Sequence, residues 1–128
     1  MTIRETGGNE KPWGTEIIWA SNDKYCGKIL IFKEAGSKTA IQFHKEKHKC
    51  WFVNEGTFIV RWVETETGNA KEKIVQQGGV IEVPPLRPFQ MEALLPNSVL
   101  LEVGTAELEK DVSLLSAEET TVLQPQEP

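Results

Sequence analysis

Cysteine is scarce in this chain, and several other signatures are missing outright. Only Cys26 and Cys50 occur among the 128 residues. They share no Cys-x-x-Cys or Cys/His spacing, which excludes a disulfide framework and a zinc finger. No apolar run approaches the roughly 18 residues of a membrane span, and no apolar leader is visible. A reducing cytoplasm with both thiols free is therefore the expected compartment. Basic side chains number 14 against 19 acidic ones, for a net charge of −5. That balance offers no field for nucleic acid. The nearest approach to a basic patch is Lys45, Lys47 and Lys49, interrupted by Glu46. It reads as a solvated hairpin edge guarded by lysines. No glycine-rich phosphate cradle is present, since Gly7-Gly8 alone does not make one. Long helical periods are missing as well, apart from a weak one over Ala106–Leu115.

What is present is a succession of short strand-like runs divided by turn residues. They cover Thr15–Ala20, Lys28–Lys33, Lys38–His44, Cys50–Asn54, Thr57–Glu64, Lys71–Gln76, Val80–Val83, Phe89–Ala93 and Ser98–Val103. The two residues Glu55-Gly56 between the fourth and fifth runs predict a tight hairpin. This spacing argues one all-β domain, a sandwich or barrel, over residues 11–115. Residues 1–10 read as a loose polar leader and residues 116–128 as a polar tail.

One run has an unusual polarity. Alternation places Ala40, Gln42, His44 and Glu46 on one face of Lys38–Glu46, and Ile41 with Phe43 on the other. Inside a barrel with a ligand cavity, the polar face would line that cavity. In an ordinary half-buried strand it would meet solvent, and the strand alone leaves both readings open.

Several phrases together resemble a known family. Lys11-Pro12-Trp13-Gly14 is similar to the Arg-Pro-Trp-Gly opening of the cupin domain that ends type II mannose-6-phosphate isomerases, usually fused to a mannose-1-phosphate guanylyltransferase. Lys28 to Gly36 resembles that family's next strand and turn. Ala40-Ile41-Gln42-Phe43-His44, followed by Trp51 and Gly56, echoes its histidine-rich hallmark, and Leu100-Leu101-Glu102-Val103-Gly104 its closing strand. The resemblance implies a cupin-type double-stranded β-helix, a jelly-roll barrel expected to pair as a homodimer in the manner of that fold.

The departures fall on the metal ligands. Of three consecutive histidines in the family, only His44 remains, followed by Lys45 and Glu46; the family's Arg is Lys47, its Glu is Lys49, and its later His is Phe89. The cofactor expectation is accordingly none, or a weakly bound divalent metal on His44, Glu46 and His48. His44 and Glu46 are the candidate catalytic pair for an isomerase, which needs a base and an electrophile. Gln42, Lys47, Trp51, Arg87 and Phe89 are the candidate ligand contacts. Two functions follow: a barrel binding a small polar ligand, sugar or sugar phosphate, through a degraded metal site, or an active sugar-phosphate isomerase. Neither nucleic acid nor membrane is an expected partner.

Overall fold

The structure, a computed structural model, describes residues 1–106 and 112–114. Among them the chain forms strands and no helix. The strands are β1 (Gly8–Lys11), β2 (Gly14–Ser21), β3 (Tyr25–Phe32), β4 (Gln42–His44), β5 (Lys49–Glu55) and β6 (Thr57–Val63). They continue as β7 (Ala70–Gln76), β8 (Val80–Val83), β9 (Phe89–Ala93), β10 (Ser98–Thr105) and β11 (Val112–Leu114). Two antiparallel sheets result, ordered β1-β2-β3-β10-β5-β8 and β11-β4-β9-β6-β7. Their inner faces meet as the all-β sandwich that the rhythm of short strands predicts, in the jelly-roll arrangement that the resemblance implies.

Period-2 alternation decides what lies between the sheets. Phe32, Val53 and Leu100 point inward from one sheet, and Phe58, Met91 and Ala93 answer from the other. Phe32 and Phe58 meet edge to face at 5.1 Å. Fully burying side chains of this size contributes about 1.5–3 kcal/mol each, so this cluster carries much of the stability.

The structure corrects four expectations. Glu55-Gly56 does not close a hairpin: β5 pairs with β10 and β8, whereas β6 pairs with β7 and β9. The turn instead hands the chain from one sheet to the other. Gly56 has φ 82°, and a Cβ there would stand 2.0 Å from Ser98 Oγ; the corner therefore needs glycine twice over. Second, the run from Lys38 to His44 is a strand only over Gln42–His44, with Lys38 making a separate bridge to Glu92. Third, the leader is tied down at its end, because β1 pairs with β2 and Thr6 Oγ1 donates to the Ile18 carbonyl. Fourth, Lys47 and Lys49 are 2% and 6% exposed, so only Lys45 of that run is solvated. The weak helical period over 106–115 falls mostly outside the described residues, where 112–114 form β11. The polar tail of 116–128 lies outside them entirely.

Candidate functional site

Three neighbouring strands each turn a polar side chain into the barrel. The same alternation that buries Leu30 and Phe32 buries Lys28 on β3; β10 buries Glu102 two residues after Leu100; β5 buries Lys49 two before Trp51. Register aligns them, with Glu102 opposite Lys28 on one side and opposite Trp51 on the other. Glu102 is 2% exposed. Trp51 Nε1–H donates to its Oε1 at 2.7 Å, and Lys47 Nζ donates to its Oε2 at 3.2 Å. Lys49 Nζ stands 3.9 Å from Oε1, and Lys28 Nζ pairs with Glu16 at 3.4 Å.

Burial alone would push the Glu102 carboxyl up. The opposing attraction of Lys49, Lys47 and Lys28, with the Trp51 hydrogen bond, holds it below the usual carboxylate range. The carboxylate is thus the anionic hub of a buried cationic cluster. Such a cluster is stable only when its members satisfy one another, since each ion loses its hydration.

His44 approaches the hub from the other sheet. The loop after β8 holds it in place, where Leu86, at φ 64°, donates its N–H to the His44 carbonyl at 2.7 Å. The imidazole stacks beside Phe89, with centroids 6.4 Å apart, and its Nε2 lies 3.1 Å from Lys49 Nζ. That same Nζ sits over the rings of Trp51 and Phe89, at 4.7 and 4.6 Å from their centroids. A lysine cation therefore stands between an imidazole and a carboxylate, on two aromatic faces.

These groups open onto a cavity of about 640 Å³. Trp13, stacked on Phe32 at 4.6 Å, forms one wall, Trp51 and Phe89 another, and the polar lining includes Gln42, His44, Lys28 and Lys49. Exposed Lys11 and Lys38 stand at its rim. A second depression, about 660 Å³, lies between β6, β7 and β8.

Of the residues singled out in the sequence, Gln42, His44, Trp51 and Phe89 come together around the first cavity. Lys47 lies beneath it, locked on Glu102. Arg87 belongs to the second depression, not to this one. Glu46 and His48 are exposed and outside the strand that carries His44, because β4 ends there and the chain bends. The set His44, Glu46 and His48 therefore does not converge. No group of three or more His, Cys, Asp or Glu able to hold a metal exists among the described residues. Glu102 and His44 both lie against the Lys49 ammonium, which would repel a divalent ion at that point. This donor set does not fit a divalent metal.

Glu102 and Lys49 escaped the sequence reading as site residues. The signal was available in Leu100-Leu101-Glu102-Val103: Leu100 is buried while Leu101 and Val103 are 36% and 57% exposed. The apolar residues on the outside reveal that the charged one faces in. Trp13 was likewise not among the candidate ligand contacts.

Comparison with known proteins gives a fold and little more. No family profile matches the chain, and no curated protein matches it. Solved structures do. Capsular polysaccharide assembling protein CapF from Staphylococcus aureus superposes with a TM-score of 0.75 at 16% identity, over 90% of this chain and 34% of that one. KdgF from Halomonas sp. gives 0.69 at 16% identity, over 83% of this chain and 89% of that one. Oxalate decarboxylase from Bacillus subtilis gives 0.76 at 15% identity, over 96% and 38%. The chain thus spans about a third of CapF and of oxalate decarboxylase, and most of KdgF. All three are cupin-fold proteins, and this chain has the cupin fold. Among the described residues, no helix is long and apolar enough to cross a membrane.

Proposed function

We propose that this barrel binds a small polar ligand, a sugar or sugar phosphate, in the cavity walled by Trp13, Trp51 and Phe89. One observation carries the reading: aromatic surfaces and converging polar groups share a single concave site of about 640 Å³. Ligand sites are built this way, with apolar walls for contact and a few polar groups for orientation. Lys28, Lys49 and Gln42 supply donors suited to hydroxyl or phosphate oxygens. The structural likeness to a capsular polysaccharide assembling protein agrees with a carbohydrate ligand. Titration calorimetry of the full chain with mannose 6-phosphate, mannose and inorganic phosphate tests it. Saturable binding of a sugar, weakened by Trp13→Ala, is the expected result; no heat from either sugar would overturn the reading.

The isomerase reading is favoured by one feature, the position of His44 in the cavity beside an ammonium. A base and an electrophile are the two groups an enediolate route requires. Of the candidate catalytic pair, Glu46 is exposed and His44 alone lines the cavity. Formation of fructose 6-phosphate from mannose 6-phosphate, abolished by His44→Gln, would establish this second reading over simple binding.

Assembly as a homodimer and a cytoplasmic location belong to the same proposal. The outer face of the six-stranded sheet supports the first. Leu101 lies opposite Phe52, and Phe52 opposite Val80, with Val103 alongside. These are 36%, 42%, 59% and 57% exposed. A second copy related by a two-fold axis would cover the stripe with its own. Cys26 and Cys50 form no disulfide among the described residues, which agrees with a reducing compartment.

A further inference from the structure

Resting on the reading of a sugar-like ligand in this cavity, we propose that Lys49 is a nucleophile that captures the ligand's carbonyl carbon as an imine. The ligand class is then narrower: a compound with a free or ring-opening aldehyde or ketone.

The geometry points there through three features that concur at one atom. First, Lys49 Nζ lines the cavity although its side chain is 6% exposed, so a bound molecule meets it with little competing water. Second, an imidazole nitrogen lies 3.1 Å away. An ammonium has no lone pair to attack with, and His44 gives its proton somewhere to go. Third, the nitrogen rests on the faces of Trp51 and Phe89, 3.9 Å from a Glu102 oxygen. A protonated imine is also a cation centred on that nitrogen. The surroundings that hold the ammonium would therefore hold the product equally well, and capture costs no charge at the site. Lys28 and Lys47 share the hub but differ: Lys47 donates to Glu102 and lies beneath the cavity, and Lys28 pairs with Glu16.

The step balances without an outside reagent. His44 takes one proton from the Lys49 ammonium, and the amine lone pair forms a bond to the carbonyl carbon as the π pair moves to oxygen. His44 returns its proton to that oxygen, giving a carbinolamine. It then takes the second proton from nitrogen and delivers it to the hydroxyl. Water leaves, and the C=N⁺ bond forms. One ammonium and one carbonyl have become one iminium and one water, and His44 ends as it began.

Reductive trapping tests this on the intact protein. The full chain is incubated with glycolaldehyde and cyanoborohydride, digested, and each lysine's modification is read by peptide mass spectrometry. The expected result is early labelling at Lys49, ahead of exposed Lys24, Lys33 and Lys45, and protection of Lys49 by mannose 6-phosphate. Label spread over the exposed lysines with Lys49 no faster would overturn the proposal, and this arm needs no variant to fold. His44→Gln should slow Lys49 labelling by about a hundredfold, the size of a lost proton-transfer partner; an unchanged rate overturns the role given to His44. Calorimetric binding of a sugar with no label at Lys49 defeats this inference and leaves the proposed function intact. Label at Lys49 without binding of either sugar does the reverse.

Discussion

The two ends of the barrel interior are made from the same strands and the same inward face, yet they differ in every chemical respect. At one end β3, β5 and β10 present Phe32, Val53 and Leu100. A few residues along, the same three strands present Lys28, Lys49 and Glu102. Alternation determines which residues face inward and says nothing of what they are. The hydrocarbon end gains free energy from leaving water, whereas the ionic end must offset the loss of hydration by mutual attraction. The fold can carry the second end because the first stabilises both.

Removing one member of each end should cost similar amounts for different reasons. Glu102→Gln leaves three buried lysines facing a neutral amide. Breaking a buried ion pair this way costs about 3–5 kcal/mol, to be read from denaturant midpoints. Phe58→Ala, at the other end, should lose about 3–5 kcal/mol through the cavity it leaves. Ligand binding separates the two variants: under conditions where both are folded, Phe58→Ala should retain affinity and Glu102→Gln should not. Equal retention would mean that the ionic end is no more than core.

Acid should erode one end alone. The folded Glu102 carboxyl titrates below its unfolded counterpart, whose value is about 4.3. Its contribution is therefore complete above the unfolded value and disappears as pH falls through the lower, folded one. Urea midpoints of the native chain and Glu102→Gln, compared from neutral pH downward, should converge at low pH. The gap between the native chain and Phe58→Ala should not close in step. A gap for Glu102→Gln independent of pH would contradict the charged hub.

A smaller effect on stability is expected outside the barrel. Leu101→Glu lies on the outer face, opposite in sense to its neighbour Glu102, and should leave the monomer's unfolding midpoint nearly unchanged. Light scattering should show the proposed dimer for the native chain and a monomer for this variant. A dimer that persists would place the contact on another surface.

The sequence made the strands legible wherever alternation was uninterrupted: the runs at Thr57–Glu64 and Val80–Val83 differ from β6 and β8 by at most one terminal residue. His44 and Phe89 were placed in one cavity by strand polarity and by the resemblance together. The errors have specific causes. Two residues between strands are a hairpin signal because most such strands pair, and nothing local distinguishes a turn that crosses to the facing sheet. Lys47 and Lys49 looked solvated because lysine usually is. Their burial depends on a carboxylate from β10, more than fifty residues away. Hubs assembled from strands distant in sequence have no local signature except a charged residue flanked by exposed apolar ones.

The position of β10 has a consequence for how the chain is made. It lies between β3 and β5 and hydrogen-bonds to both along their length. While a ribosome is still delivering the residues before 98, the two strands that will flank it have no partner between them. Their edges stay open, and the lysines that Glu102 will neutralise have no counter-ion from that strand. Closing the barrel is therefore a late event, and a slow one, because contacts between distant segments must wait for the chain that joins them. A nascent chain stalled just short of β10 would present unpaired strand edges to its neighbours, the state in which β proteins are most prone to aggregate.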